Sequence, residues 1–344
     1  MNSIYKRLGR FLWVVMISGL GLLPGCQSGP RGDYAAIEFH PDSMLRYRFV
    51  SSRDVKIELT EGSNGKKEDS KTSRESLDMV MRIRPVKIDP YGLTTLEFTC
   101  ESVQVKRTSF SGKGAAVDAM EALKGKSYTV QVTPTGQIEN KDDFARMLKE
   151  IGQKSFVAST NPKQKVKNPD MILDWIFFQM YLWNVSASIP KPLDGIHPGS
   201  TWQSDQFMPW PVPIQNLPSR ITTYTVKDIT EQYAKRTAVI DSTYQLRDEP
   251  VLSFPLPYEG PYQIKGSLFS ILRSYRHESL EGSGTEIFDL TDGVLEKDQQ
   301  NYTLVTRADF ILPLGQSLPT LTVQQSILIE RLKDDAEGKP GGSQ

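Results

Sequence analysis

The residue whose position in this chain most clearly implies chemistry is Cys26. It follows a basic start, Lys6 to Arg10, and a run of thirteen residues, Phe11 to Leu23, that is apolar apart from one serine and two glycines. A helix needs about 17–25 apolar residues to span a bilayer, so this run is too short. A charged start, a short apolar middle and a small residue before the cut are typical of a secretory signal peptide. Gly25 is such a residue, and the sequence therefore predicts cleavage before Cys26.

The residues Leu23-Pro24-Gly25-Cys26 resemble the lipobox of bacterial lipoproteins, with leucine at −3, glycine at −1 and cysteine at +1. Pro24 departs from the small residue that is usual at −2. The resemblance implies that the Cys26 thiol forms a thioether with diacylglycerol and that the new N-terminus is acylated. Stable anchoring takes more than one acyl chain, because each buried methylene adds only about 0.8 kcal/mol of membrane affinity. An ordinary cleaved signal with a free cysteine, and an uncleaved anchor, are the alternatives.

Gln27 follows the cysteine, and a residue other than aspartate there resembles the outer-membrane pattern of Gram-negative lipoproteins. We therefore expect a lipid-anchored cell-envelope protein, at the outer membrane and facing the periplasm if the envelope is Gram-negative. Residues 1–25 are then the signal peptide, and residues 26–40 are the lipidated cysteine and a small, polar tether. Residues 41–333 form a single large β-rich domain, and residues 334–344 a polar, disordered tail.

Composition and charge exclude several classes of function. The chain has 41 Lys and Arg against 41 Asp and Glu, and cleavage after residue 25 would leave 38 against 41. Such near-neutral charge provides no footprint for nucleic acid. With Cys26 lipidated, Cys100 has no partner for an intramolecular disulfide. His40, His197 and His277 are far apart and lie in no cluster with metal-ligand spacing. We therefore predict no metal, no cofactor and no nucleic-acid partner.

Alternation of apolar and polar residues predicts strands in most of the domain. It begins at Leu45, and after a break it resumes in six strands: 221–229, 234–246, 262–276, 284–290, 293–307 and 320–331. Asp89-Pro90-Tyr91-Gly92 and Thr291-Asp292-Gly293 predict hairpin turns. A change of parity at Val103 predicts a β-bulge before it. Cys100 is expected to face the core as a small apolar residue.

Two helices are predicted between the strands, at about 140–158 and 169–185. Asn140 is a suitable N-cap for the first helix, and an apolar face follows it at Phe144, Met147, Leu148 and Ile151. In the second, 12 of 17 residues are apolar, so this helix must be buried on most sides or lie against an apolar partner.

The order of the elements predicts an α+β fold that is mainly antiparallel β. No helix alternates with the later strands, which argues against a parallel βαβ sheet. We expect curved sheets, or half-barrel-like lobes at 41–160 and 199–333, packed on the inserted helices. Half-barrel lipid carriers have such a layout, but no motif supports that comparison.

Three short motifs resemble an uncharacterised family of secreted or lipid-anchored bacterial β-rich proteins, a domain of unknown function. They are the strand and turn Gly125 to Gly136, the proline pair Ile189-Pro190-Lys191-Pro192, and Gly199-Ser200-Thr201-Trp202. The resemblance covers roughly residues 44–307. It implies a β-rich fold and an extracytoplasmic location, and it implies no activity and no site residues.

Two apolar, proline-rich segments, 207–213 and 252–258, are predicted to be loops, because proline prevents regular strand pairing. Apolar loops are costly in water unless they cover something. They either close the open end of the core or form the rim of an apolar pocket or docking site. The residues that we expect to line such a site are Trp175, Trp183, Trp210 and Phe254.

No catalytic motif stands out in the sequence. Gly-x-Ser-x-Gly, a calcium loop and a phosphate-binding glycine loop are all absent. We therefore expect a non-catalytic binding or envelope-assembly protein, attached to the membrane through Cys26, whose partner is a lipid, another apolar ligand or an envelope protein. A purely structural envelope lipoprotein without a ligand is one alternative. A hydrolase with no recognisable motif is the other, and it would need a polar cleft that brings a histidine or an acid pair together.

Overall fold

The computed structural model of the chain describes most of the β-rich domain. The described residues are 33, 35, 37–41, 43–58, 70–108, 119–133, 138–140, 142–144, 146–147, 150, 156–157, 165–166, 195–208, 218–247, 263–264, 272–310 and 319–333. The chain divides into two compact units, Met1–Arg31 and Gly32–Gln344. The first unit lies outside the described residues, and with it the predicted signal peptide and Cys26. In the part of the chain that is described, no helix has both the length and the apolar character to cross a membrane.

Long strands dominate the described residues. They are β1 (Leu45–Glu58), β2 (Ser70–Ile88), β3 (Thr94–Thr108), β4 (Ser127–Val132), β5 (Ile138–Asn140), β6 (Phe156–Val157), β7 (Lys165–Val166), β8 (Thr201–Phe207), β9 (Ser219–Gln232), β10 (Lys235–Leu246), β11 (Gln263–Ile264), β12 (Leu272–Asp289), β13 (Val294–Phe310) and β14 (Thr320–Arg331). A short 3-10 helix, Ala119–Leu123, precedes β4.

Eleven of these strands form one open, curved, antiparallel sheet, in the order β5-β4-β3-β2-β1-β14-β13-β12-β10-β9-β8. The chain builds it as two meanders, which meet where β1 pairs with β14 over twelve residues, from Tyr47 opposite Arg331 to Glu58 opposite Thr320. The two stretches that were expected as lobes thus contribute strands to the same sheet. A separate small sheet has the order β11-β7-β6, and its β7–β11 pair is parallel.

Alternation along the strands buries one face of the large sheet. In β1, the side chains of Leu45, Tyr47, Phe49, Val55 and Ile57 are buried, as is that of Arg53 on the same face. The side chains on the other face of β1 are half-buried or exposed. Branched and aromatic side chains suit a strand whose one face is packed, and burial of each large apolar side chain contributes about 1.5–3 kcal/mol. The prediction of a mainly antiparallel β fold is therefore confirmed.

The inner, buried face is concave. Arg220 on β9 donates a 2.7 Å hydrogen bond from Nη2 to Gln300 Oε1 on β13, although β10 and β12 lie between these strands. Three strand spacings measure about 14 Å in a flat sheet. Both side chains leave the sheet on this face, so their contact across that span indicates that the sheet bends toward it.

Both predicted turns are present. In the β2–β3 turn, Asp89 Oδ1 accepts hydrogen bonds from the N–H groups of Tyr91 and Leu93, each at 2.8 Å, and Gly92 has a φ of 85°. In the β12–β13 turn, Asp289 Oδ1 accepts from the N–H groups of Thr291 and Asp292. An aspartate that bonds to its own turn explains why these sequences reverse the chain.

The predicted bulge lies at Glu101. Ser102 pairs with Val80 and Cys100 pairs with Met81, so Glu101 is an extra residue on β3. The bulge restores the inward direction of Val103, which is buried. Cys100 faces the core as predicted, and burial raises the pKa of its thiol to about 12.

One predicted strand boundary is wrong. The sequence suggested a break between strands at 262–276 and 284–290, but β12 is continuous through residues 277–283. Gly282 and Gly284 stand inside the strand, and glycines there commonly mark a close approach of another group rather than a strand end.

The inserted helices are not confirmed. Residues 142–144, 146–147 and 150 are helical, and Asn140 Oδ1 accepts a 2.9 Å hydrogen bond from the Asp142 N–H, as an N-cap does. Phe144 is buried against Tyr128, with ring centroids 4.9 Å apart. Phe156–Val157 form β6, however, so the expected helical range of 140–158 is too long. The second predicted helix, 169–185, lies outside the described residues.

We predict that Ala234→Gly stabilises the fold. The two-residue turn between β9 and β10 places Tyr233 at a φ of 52° and Ala234 at 61°, where glycine is free of the steric cost that alanine carries. The free energy of unfolding should rise by about 0.5–1 kcal/mol, measured by urea unfolding. The matched control, Ala238→Gly, lies in the buried part of β10 and should lower it. A loss of stability in both variants would contradict this account of the turn.

Candidate functional site

The residues predicted to line a pocket are not among those that the structure describes. Trp175, Trp183, Trp210 and Phe254 all lie outside the described residues. Of the first predicted loop, Phe207 belongs to β8 and Met208 is fully buried, with its N–H bonded to Pro218 O at 2.8 Å. The candidate site among the described residues therefore lies on the large sheet.

A band of polar side chains crosses the middle of the concave face, between rows of apolar ones. We call this band the polar belt, and it consists of Arg53, Glu75, Arg107, Gln206, Arg220, Tyr224, Ser242, Tyr244, Glu286, Asp298, Gln300, Tyr302 and Gln325. Most of these side chains are less than a tenth exposed. Polar groups are expensive to bury unless they find partners, so the belt needs an explanation.

The strand register aligns half of the belt in one row. Tyr302 pairs with Gln325, Gln325 with Arg53, and Arg53 with Glu75. At the end of the row, Arg53 Nε donates to Glu75 Oε2 at 2.9 Å and Arg107 Nη1 donates to Glu75 Oε1 at 3.0 Å. One carboxylate thus holds two guanidinium groups on the inner face.

The other half of the belt surrounds Arg220, whose side chain is fully buried. Gln206 Oε1 accepts hydrogen bonds from Arg220 Nε at 3.1 Å and from Nη2 at 2.7 Å. The guanidinium carbon lies 3.8 Å from the centroid of the Tyr244 ring and 5.6 Å from that of Tyr302. Amide oxygens and aromatic faces therefore replace the water that the cation would otherwise hold.

An acid pair lies next to this cation. Glu286 on β12 pairs directly with Asp298 on β13, and each is 3% exposed. Gln300 connects Asp298 to Arg220, because its Nε2 donates to Asp298 Oδ2 at 2.7 Å while its Oε1 accepts from Arg220. Burial, and then the neighbouring Glu286, raise the pKa of Asp298 to about 8. Asp298 therefore keeps its proton at neutral pH.

Tyr302 lies between the Arg53–Glu75–Arg107 cluster and the cluster around Arg220. Burial raises the pKa of its hydroxyl, while Arg220 and Arg53 both act to lower it. The side chain is 4% exposed, and Tyr302 Oη has no hydrogen-bond partner among the described residues. Trp202 Nε1, on a ring stacked 5.4 Å from that of Tyr224, is likewise buried and unpartnered within the described part of the chain. Within the described residues, the belt and the neighbouring Trp202 therefore offer one unused donor each.

Two glycines make room for the belt. A Cβ at Gly282 would overlap the backbone of Tyr302, and a Cβ at Gly284 would overlap Tyr244 Oη and Ser242 Oγ. Ser242 Oγ lies 3.1 Å from Tyr244 Oη, so both hydroxyls occupy the space that the second glycine leaves. Larger residues at these positions would push the tyrosines away from Arg220.

The acidic and histidine side chains of the described residues are dispersed over the sheet. Within the described ranges, no group of three or more His, Cys, Asp or Glu residues could hold a metal ion. His40 and His197 are exposed. His277 is half-buried, with Nδ1 at 2.8 Å from Thr306 Oγ1, and burial lowers its pKa to about 4.

A second polar surface lies on the outer face of the sheet. An open groove of about 570 Å³ is lined by short polar side chains of β12, β13, β14 and β1, such as Ser283, Asn301, Ser326 and Ser52. Solvated serines and amides are the usual content of an outer sheet face. The groove therefore needs no ligand to explain it, and the buried belt is the stronger candidate.

Sequence reasoning did not find the belt. Arg220, Glu286 and Asp298 lie in three different strands, and a single sequence does not reveal which strand positions meet. A usable signal was the Gly282-Ser283-Gly284 sequence in an alternating segment, which is typical of a close approach to the backbone. Trp202 did appear in a motif, but only as part of a turn.

No protein-family model matches this chain, and no curated protein matches it either.

We predict that Asp298→Asn changes the pH dependence of stability. The pKa of Asp298 is about 8 in the folded chain and near 3.8 when unfolded, so between these values the folded state binds more protons. The contribution of Asp298 to the free energy of unfolding therefore falls as pH rises, by at most about 1.4 kcal/mol per pH unit. The stability of Asp298→Asn relative to the parent chain should increase between pH 5 and pH 8, in urea unfolding.

The control for this prediction is Asp289→Asn. Burial acts to raise the pKa of Asp289, but hydrogen bonds from Lys235 and from the turn outweigh it, and the pKa is lowered. Asp289 is then ionised in both states from pH 5 to pH 8, so its variant should lose stability by a constant amount. A constant difference for Asp298→Asn as well would show that Asp298 carries no proton in the fold.

Proposed function

We propose that this protein is a lipid-anchored, non-catalytic binding protein of the bacterial cell envelope. Its signal sequence and Cys26 provide the anchor, at the outer membrane facing the periplasm in a Gram-negative envelope. Its ligand lies against the concave face, with an apolar body over the apolar rows and a polar head at the belt. The ligand is a lipid or another amphipathic molecule whose head carries negative charge or strong hydrogen-bond acceptors.

The observation that carries this proposal is a pair of buried donors, Tyr302 Oη in the belt and Trp202 Nε1 beside it, neither of which has a partner among the described residues. A buried donor without a partner costs about 1–3 kcal/mol, whereas phenylalanine in place of Tyr302 would remove that cost with no change in shape. A ligand acceptor that bonds to Tyr302 Oη would remove this cost and would explain why the position carries tyrosine. Functional sites are where chains keep such locally unfavourable features.

Charge supports an acidic ligand head. The belt has three guanidinium groups, on Arg53, Arg107 and Arg220, and three carboxyl groups, on Glu75, Glu286 and Asp298. Because Asp298 is protonated at neutral pH, at most two of the three carboxyl groups are negative, and the formal charge of the belt is at least +1. Tyr302 Oη lies between the cationic groups of Arg220 and Arg53, where an anionic head would be favoured.

A hydrolase is the second candidate, because one observation favours it. Glu286 and Asp298 form the kind of acid pair that such an enzyme would need, and a carboxyl group kept protonated at neutral pH suits a general acid. Tyr302 is hardly more exposed, at 4% against 3% for each acid, so access does not separate the two candidates. Hydrolysis needs an attacking water as well as a substrate beside the pair, however, whereas binding needs only an acceptor at Tyr302 Oη. We therefore favour binding over hydrolysis.

We predict that Tyr302→Phe weakens ligand binding without weakening the fold. The variant loses a hydroxyl that has no partner in the described residues, so the free energy of unfolding should stay constant or rise. A hydrogen bond to a charged acceptor contributes about 1.5–3 kcal/mol, so the dissociation constant of the bound ligand should rise by about tenfold or more.

The matched control is Tyr47→Phe. Tyr47 Oη donates a 3.0 Å hydrogen bond to Leu295 O, away from the belt. This variant should lose about 1 kcal/mol of stability and keep its ligand. If both variants kept the ligand equally, Tyr302 would have no part in binding.

Native mass spectrometry of the exported Cys26→Ser chain, purified without detergent from the producing cells, provides the readout. We expect an added mass that organic extraction removes and that falls in abundance in Tyr302→Phe. A chain without added mass would support the structural alternative and contradict the proposal.

A further inference from the structure

Large apolar side chains that are exposed collect at one end of the sheet. Within the described ranges they are Met44, Val86, Tyr91 and Tyr233, with exposed fractions of 42%, 54%, 89% and 100%. β1 begins just after Met44, β2 ends just after Val86, and Tyr91 and Tyr233 occupy the tips of the β2–β3 and β9–β10 hairpins. The antiparallel pairing places all of these chain positions at the same end. We call it the tyrosine end.

The two tip tyrosines are set well apart. Their hairpins are separated by six strand spacings in the sheet order, which is about 29 Å along the sheet. They therefore do not form one apolar pocket. They form two contact points on a broad rim, with the β12–β13 turn between them.

Local stability does not explain the residue at position 233. The β9–β10 turn needs positive φ at both of its residues, for which Asn-Gly is preferred, yet it carries a fully exposed tyrosine at a φ of 52°. Tyrosine rings are enriched where one side is apolar and the other is wet, as at the surface of a bilayer. A membrane surface would account for tyrosines at both tips.

The N-terminal segment enters the fold at this same end. Arg236, three residues beyond Tyr233, donates from Nη2 to Asp33 Oδ2 at 2.6 Å, and the Ile196 N–H donates to Asp33 O at 2.6 Å. The Glu38 N–H then bonds to Gly293 O in the β12–β13 turn at 3.1 Å. The chain is therefore held at the tyrosine end from Asp33 onward.

The length of the tether decides which end can meet the membrane. Seven residues lead from Cys26 to Asp33, and they can span at most about 25 Å. β2 alone has 19 residues, which extend about 63 Å. An anchor at Cys26 thus keeps the tyrosine end close to the bilayer and leaves the opposite end out of its reach when the strands stand upright.

We propose that the tyrosine end rests on the membrane that holds the acylated Cys26, with Tyr91 and Tyr233 in the headgroup region. This inference rests on the lipidation that is part of the proposed function. The partner is a lipid surface. The strands then point away from the bilayer.

The experiment uses the acylated mature chain in vesicles of phosphatidylethanolamine and phosphatidylglycerol. Tyr91→Cys and Tyr233→Cys each carry a nitrobenzoxadiazole label, and Lys71→Cys, exposed at the opposite end of β2, is the control. Cys100 is buried and should not react. Quenching by spin-labelled lipids should be at least twofold stronger at positions 91 and 233 than at 71. Val86→Cys replaces either tip variant if its label prevents folding.

Two further measurements distinguish a failure of the Cys26 anchor from a failure of the proposed orientation. Mass spectrometry and flotation with vesicles report whether Cys26 is acylated, and an unacylated chain would overturn both the anchor and this orientation. An acylated, floating chain with equal quenching at all three labels, or with stronger quenching at 71, would overturn the orientation alone.

Discussion

Burial of the Arg220 guanidinium is the constraint on which the inner face depends. A cation taken out of water must meet acceptors and opposite charge, because isolated burial costs several kcal/mol. Gln206 and Gln300 supply the acceptors, the Tyr244 ring supplies an aromatic face, and the acid pair lies beside them. This requirement explains why a polar belt interrupts an otherwise apolar concave face, and why β12 has glycine where a Cβ would displace the tyrosines.

The pairing of β1 with β14 completes the belt. Each meander contributes one arginine cluster, and only their junction in the middle of the sheet places Tyr302 between Arg220 and Arg53. With the tyrosine end at the bilayer, the concave face would stand over the surface from which a lipid could be taken. In the proposed function, the anchor, the open sheet and the belt would act together to hold such a ligand near the membrane.

The local features of the fold could be predicted from the sequence, and the long-range ones could not. The turn at Asp89, the bulge before Val103 and the inward Cys100 follow from short-range rules of parity and turn chemistry. The belt does not, because its members meet through the register of strands that are distant in sequence. The break predicted within β12 was wrong at glycines that disfavour a strand when they are considered alone. The sequence does not reveal that Tyr302 and Tyr244 pack against these glycines in the sheet. The predicted aromatic pocket residues stay a prediction.

The most direct test of the central claim, that the concave face holds a ligand, is a crystal structure of the mature chain isolated from its own membrane. We expect density for a non-protein group within hydrogen-bond distance of Tyr302 Oη, close to Arg220, with an apolar tail along the inner face. A belt in which Tyr302 Oη and Trp202 Nε1 bond only to protein groups would contradict it and would leave the sheet with a structural role.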